Sequence, residues 1–294
     1  MRLGSVILSM AMFAAWALVP NYIHLPIIPI MFLFSLFAAL IQFPIAIKYF
    51  KIKDFIELDI IILGIIQILD LFFLLHAYKN LNVGIASTIH YLGPVITLIL
   101  APFILKQKND IKTVILIIIS FLSTILISVN VVIDYKSIIG LIFAFLSSFS
   151  LAGLIIYQNK NMKKKSIKIT DNYLINSINF VFKFNLYSVI LLAIPAIISF
   201  HNNGIPTDLP KIFIWGVLIQ GVALTLINYS AYYLPAKTIG LLSYTEILWV
   251  FIYGIIFLHQ LITPVEITGV GIMVLSTLFL LKNKSKVVSP VMTD

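Results

Sequence analysis

The chain has 294 residues and a formal net charge of +9; 61% of its residues are hydrophobic and only 11% are charged, where an ordinary soluble domain carries about 25% charged residues. So few charges cannot cover the surface of a water-soluble fold of this length, and the mean hydropathy of +1.09 agrees. With 22 Phe, 13 Tyr, 13 Gly and no Cys, disordered, collagen-like and disulfide-stapled chains are excluded as well, which leaves a polytopic membrane protein.

A bilayer core of about 30 Å asks for roughly 20 apolar residues per helix. Polar punctuation divides the chain into ten such stretches, at about 3–22, 26–48, 57–78, 84–105, 112–132, 137–158, 173–200, 211–233, 237–258 and 264–282. The first follows Arg2 as a signal peptide would, but it is long for one and no small-x-small cleavage site precedes Pro20. It is therefore read as a membrane helix. Helix 3 carries Gln67 and Asp70 on one face, and helix 4 carries His90, Tyr91, Gly93 and Pro94. A long basic loop, Gln158 to Asn172, separates helices 6 and 7. Barrel strands would alternate in polarity, and runs such as Ile60-Ile61-Ile62-Leu63 or Ile115 to Ile119 do not. The architecture is all-α.

The basic residues are not gathered into one patch with exposed aromatics, so nucleic acid is excluded as a partner. They sort by loop parity instead. With ten helices and a cytoplasmic N-terminus, sixteen of the twenty, from Arg2 to Lys286, face the cytoplasm. Lys79, Lys136 and Lys211 face out, and Lys183 falls inside helix 7. The positive-inside rule thus places both termini in the cytoplasm.

A shift of 153 residues places Gln67 on Gln220, Leu81 on Leu234, and Leu122-Ser123-Thr124 on Leu275-Ser276-Thr277. A shift of 136 gives a weaker match of Gly4, Phe13 and Ala14 to Gly140, Phe149 and Ser150. Helices 1–5 (residues 1–136) are therefore repeated as helices 6–10 (137–282), with a cytoplasmic tail at 283–294. Five is odd, so the second copy crosses the membrane inverted, a plan common among secondary transporters that bind substrate at the midplane.

The segment Ala77-Tyr78 through Leu81, Ala86, Leu92-Gly93-Pro94 and Pro102 pairs with Ala231-Tyr232 through Ala236, Gly240 and Thr245-Glu246. Through these residues the chain resembles the EamA branch of the drug/metabolite transporter superfamily, ten-helix carriers with a mid-helix Glu-Pro in helices 4 and 9. Here the Glu of the first copy is Gly93 and the Pro of the second is Ile247. Lys106-Gln107 and His259-Gln260 stand where an acidic residue is usual. The resemblance implies alternating access by two inverted halves, with export or exchange of small metabolites such as amino acids.

An ionisable side chain near the bilayer centre costs about 2.5–3.5 kcal/mol on insertion scales, so each needs a reason. Glu246 sits near the middle of helix 9, on a face with Ser243, Val250 and Tyr253 and with Trp249 beside it. The 153 shift puts His90, Gly93, Thr97 and Leu100 on the matching face of helix 4, and the two stripes are expected to meet across a central cavity. Pro94 cannot donate to the His90 carbonyl, so helix 4 should kink at Gly93-Pro94. His90 is then either a hydrogen-bonded packing residue or a cavity group. Asn176, Asn179, Lys183 and Tyr187 form a polar stripe on helix 7; Lys183 is too deep to snorkel and should pair with Glu246 or Asp70, as a structural bridge or as a contact for a substrate anion. Asp70 binds a cation, shuttles a proton or pairs with a neighbour. The aromatics Trp16, Tyr91, Trp215, Tyr244 and Trp249 mark either interface anchoring or cavity lining; Trp215 reads as an anchor, whereas Tyr91 and Trp249 are deep enough to stack on a substrate.

Enzyme motifs are missing. There is no His-Glu-x-x-His, Gly-x-Ser-x-Gly or P-loop, the five His are scattered, and no cofactor or metal is expected. Arg2 is the single Arg, which disfavours phosphorylated cargo. The expected function is a secondary carrier in a bacterial inner membrane for a small polar solute, zwitterionic or cationic. Coupling to a proton or cation is open, as is a homodimer. One alternative is a non-transporting scaffold. The other is an importer: nineteen Lys against one Arg, with much Ile and Asn, suggest the AT-rich genome of a host-restricted bacterium, and similar proteins there import host metabolites such as S-adenosylmethionine.

Overall fold

In a computed structural model, residues 2–81, 83–106, 111–127, 135–162, 170–204, 206–259 and 263–284 are described, and all their regular structure is helical. The end of helix 5 at 128–132, the lysines at 163–168 and the tail beyond Lys284 lie outside the described residues. Helix α1 (Leu3–Tyr22) tightens into a 3-10 turn at Ala14–Leu18 before Pro20. It is followed by α2 (Ile27–Ala46), a single turn at Ile52–Phe55, α3 (Leu58–Asn80), α4 (Val83–Leu105) and α5 (Ile111–Ile127). The second half comprises α6 (Tyr135–Met162), α7 (Tyr173–Asn203), α8 (Leu209–Ala231), α9 (Ala236–Ser243 and Thr245–Leu258) and α10 (Pro264–Lys284).

Among the described residues eight helices, all but α5 and α10, are long and apolar enough to cross a membrane. The remaining two pack against each other. Local chemistry sets several boundaries. Asn172 caps α7, its side-chain oxygen accepting from the backbone N–H of Leu174 at 2.9 Å and of Ile175 at 3.3 Å.

The two halves share their irregularities. α4 is interrupted between His90 and Gly93, and α9 is interrupted at Tyr244, the residue 153 positions after Tyr91. Pro94 lies in the first turn of the second piece of α4, where a missing N–H does no harm. No proline stands at the break in α9, so that interruption does not depend on one. Both helices end on a side-chain-bearing residue in the left-handed region, Lys106 at φ 52° and His259 at φ 51°, again 153 apart. Such residues hold a conformation that costs about 1–2 kcal/mol, which the repeat accepts twice. Burial matches too: Ser123 and Ser276 are buried, while Leu122 and Leu275 point outward.

Helices in lipid associate through close packing and polar contacts, because the tails outside are as apolar as Leu. Large apolar side chains such as Leu40, Phe103, Ile194 and Ile267 are accordingly exposed. At Gly216 a Cβ would lie 2.9 Å from the Cα of Phe34, so α8 crosses α2 with no room for a side chain. This crossing opens a π-helical stretch, Gly216–Ala223. Its carbonyls are bonded from other helices: Ala223 accepts from Ser9 Oγ at 2.8 Å and Gly221 from Gln42 Nε2 at 3.2 Å. Asn185 donates to Gln42 Oε1 at 3.2 Å and accepts from Gln220 Nε2 at 3.0 Å. This buried network joins α1 and α2 to α7 and α8, and so ties the two halves together.

Candidate functional site

A cavity of about 70 Å³ lies where α1, α3 and α4 meet their counterparts α6, α8 and α9. That is room for several waters. Its polar lining consists of Gln67 and Asp70 of α3, His90 at the break of α4, Gln158 of α6, and Ser243 and Glu246 at the break of α9. The rest is apolar or aromatic, with Trp16 and Tyr91 among the rings. No Lys or Arg is among the described lining residues.

The helix breaks bring this set together. Interrupting α4 at Tyr91 and α9 at Tyr244 lets these rings approach to 5.8 Å between centroids, across the join between the halves. The Tyr91 hydroxyl lies beside the Glu246 carboxylate. Asp70 and Glu246 lie close enough for their charges to repel. Gln67 Oε1 and Asp70 Oδ1 are buried without a hydrogen-bond partner among the described residues.

His90, 3% exposed, shares a 3.0 Å hydrogen bond between Nδ1 and Ser147 Oγ. The Ser147 hydroxyl has one proton, which it donates to the Ala144 carbonyl at 2.7 Å. Nδ1 is therefore the donor to Ser147, and Nε2 is left as the acceptor nitrogen. Ser243 donates back to the Ile239 carbonyl at 2.9 Å and keeps its lone pairs.

Three of the eight residues expected to bind substrate, Asn179, Lys183 and Trp249, lie outside this lining. Asn179 donates to the Ala46 carbonyl of α2 at 3.1 Å, and Lys183, one turn further on, is buried at 3% exposure. Tyr187, the next in that stripe, donates to the Phe55 carbonyl. Trp249 is half-buried beside Tyr253, whose hydroxyl donates to Ala11 of α1 at 3.0 Å. Trp16, one of the aromatics read as anchoring or cavity lining, does line the cavity, its ring centroid 4.9 Å from that of Phe34. Trp16 sits within the 3-10 turn of α1. Gln158, read from the sequence as the last residue before a loop, also reaches the lining.

Eight helices able to cross a membrane, packed around a cavity that holds buried polar groups, define a polytopic membrane protein. The model of the EamA-like transporter family matches residues 3–129 and again 138–282, so the chain belongs to this family of membrane transporters. No curated protein matches the sequence. A solved structure described only as the crystal structure of a protein is similar with a TM-score of 0.73 at 12% identity, over 97% of this chain and 98% of that one. At that identity the likeness speaks to fold alone.

Proposed function

We propose that the protein is a secondary transporter for a small solute that carries a positive group, either a cation or a zwitterion such as an amino acid. The observation that supports this reading best is the pair Asp70 and Glu246: one carboxylate from each half, both on one cavity, with no Lys or Arg among the described lining residues. An anionic solute would meet like charge there, whereas an ammonium group would meet two carboxylates and, on the Trp16 and Tyr91 rings, the faces that favour cations. A scaffold has no use for such a cavity.

In this reading all ten helices cross a bacterial cytoplasmic membrane, with both termini inside and the second five inverted relative to the first. Residues 1–136 and 137–282 then rock about the cavity by alternating access. The breaks at Gly93-Pro94 and Tyr244 serve as hinges, since interrupted helices are tolerated at membrane depth where they line a cavity. The adopted direction is export or exchange. The test is metabolite profiling of a deletion strain, followed by flux of the altered solute in proteoliposomes. Accumulation of a cationic or zwitterionic solute and its carriage by the purified protein support the reading. A phosphorylated or purely anionic cargo overturns it.

A further inference from the structure

The Tyr91 hydroxyl lies beside Glu246. Gln67 and Asp70 stand three residues apart on one face of α3, at 7% and 8% exposure, and both line the cavity. Their atoms Oε1 and Oδ1 have no hydrogen-bond partner among the described residues. Two donors of the lining are committed elsewhere: His90 Nδ1 serves Ser147 and Ser243 serves Ile239.

The repeat supplies an internal comparison. The counterparts of Gln67 and Asp70 are Gln220 and Ala223. There Gln220 Nε2 reaches Asn185 and the Ala223 carbonyl accepts from Ser9, while Gln220 Oε1, like Gln67 Oε1, has no partner among the described residues; what the second half lacks is the carboxylate. The first half thus carries a carboxylate on the cavity lining at the place where the second half has an alanine.

We infer that Gln67 Oε1 and the Asp70 carboxylate form the protein side of a sodium site. Two hard oxygen acceptors suit an alkali ion. Among the described residues no group of three or more His, Cys, Asp or Glu is gathered, which argues against a divalent ion. A single carboxylate matches a single positive charge, and the cavity has room for waters to complete the coordination. Sodium at Asp70 and a cationic solute at Glu246 repel each other, so each weakens the other's binding by the same factor. Two like-charged ligands that exclude one another in one cavity are what sodium–solute exchange requires. The coupling rests on the transporter reading; the binding of the ion does not.

The test uses the full-length purified chain and radiolabelled sodium. Saturable binding to the wild type is expected, displaced by unlabelled sodium and not by potassium. Binding should be lost in Asp70→Asn, weakened about tenfold in Gln67→Leu and retained in Glu246→Gln. Absence of saturable binding to the wild type, or wild-type binding in Asp70→Asn, overturns the site. Gel filtration reports whether each variant is folded. If Asp70→Asn is not, Gln67→Leu carries the test, and an unchanged sodium affinity there overturns the site. Efflux of radiolabelled lysine, arginine or choline from liposomes is then compared in sodium and potassium chloride. Efflux that needs Glu246 but not sodium overturns the coupling and leaves the transporter reading standing. Sodium binding with no Glu246-dependent flux of any solute overturns the transporter reading and leaves the site standing.

Discussion

Replacing Gly216 by alanine should destabilise the fold, whereas the same change at Gly221, on the same π-helical stretch and facing the same helix, should not. At position 216 the new Cβ would meet Phe34 backbone, 2.9 Å from Cα, 3.3 Å from the carbonyl oxygen and 3.5 Å from the carbonyl carbon. Backbone cannot rotate aside, so α8 must move off α2. At position 221 the nearest atoms are the Cβ and Cα of Ala38 at 3.6 and 3.7 Å, an ordinary contact. Both changes gain the same helix propensity, about 1 kcal/mol for Gly to Ala. That gain cancels in the comparison and leaves the overpacking cost, about 1–3 kcal/mol. Thermal unfolding in detergent, followed as loss of the monodisperse peak after heating, should rank Gly221→Ala at or above the wild type and Gly216→Ala below Gly221→Ala. Equal melting temperatures, or the reverse order, would refute the close crossing of α8 and α2.

The buried network makes a second prediction: Asn185→Leu keeps the volume but leaves Gln42 Oε1 and Gln220 Nε2 without their partner, costing about 1–3 kcal/mol for each group. Melting close to that of the wild type would mean the network does not tie the halves together. The topology can be read directly, because the chain has no cysteine of its own. Single cysteines at the exposed positions Lys79, Lys136 and Lys211 should react with an impermeant maleimide in intact cells, and one at Lys51 only after permeabilisation. The opposite labelling would overturn the ten-crossing topology with cytoplasmic termini.

The repeat is legible in the sequence because apolar length and a constant offset survive where side-chain detail does not. The same offset of 153 links Tyr91 to Tyr244 and Lys106 to His259, positions where the structure places matching helix breaks and left-handed caps. Five of the eight side chains read as a binding set, Asp70, His90, Tyr91, Ser243 and Glu246, line one cavity. Asn179 and Lys183 lie outside it because helical spacing tells which residues share a face, not which neighbour that face meets; the Asn179 side chain reaches Ala46 of α2. The π-helical stretch at Gly216–Ala223 has no local signature, since it is held by Ser9 and Gln42, far away in the sequence. The Lys and Arg pattern speaks to orientation and carries no information about the cavity, whose described lining residues include neither.

The most direct measurement is solute flux through liposomes containing wild type or Glu246→Gln. The substitution removes one charge while keeping the shape and the Tyr91 contact. With the solute that accumulates in a deletion strain, the wild type should carry it and Glu246→Gln should fall to the rate of empty liposomes, although both elute as the same folded species. Undiminished flux through Glu246→Gln would contradict the assignment of the cavity as the transport site.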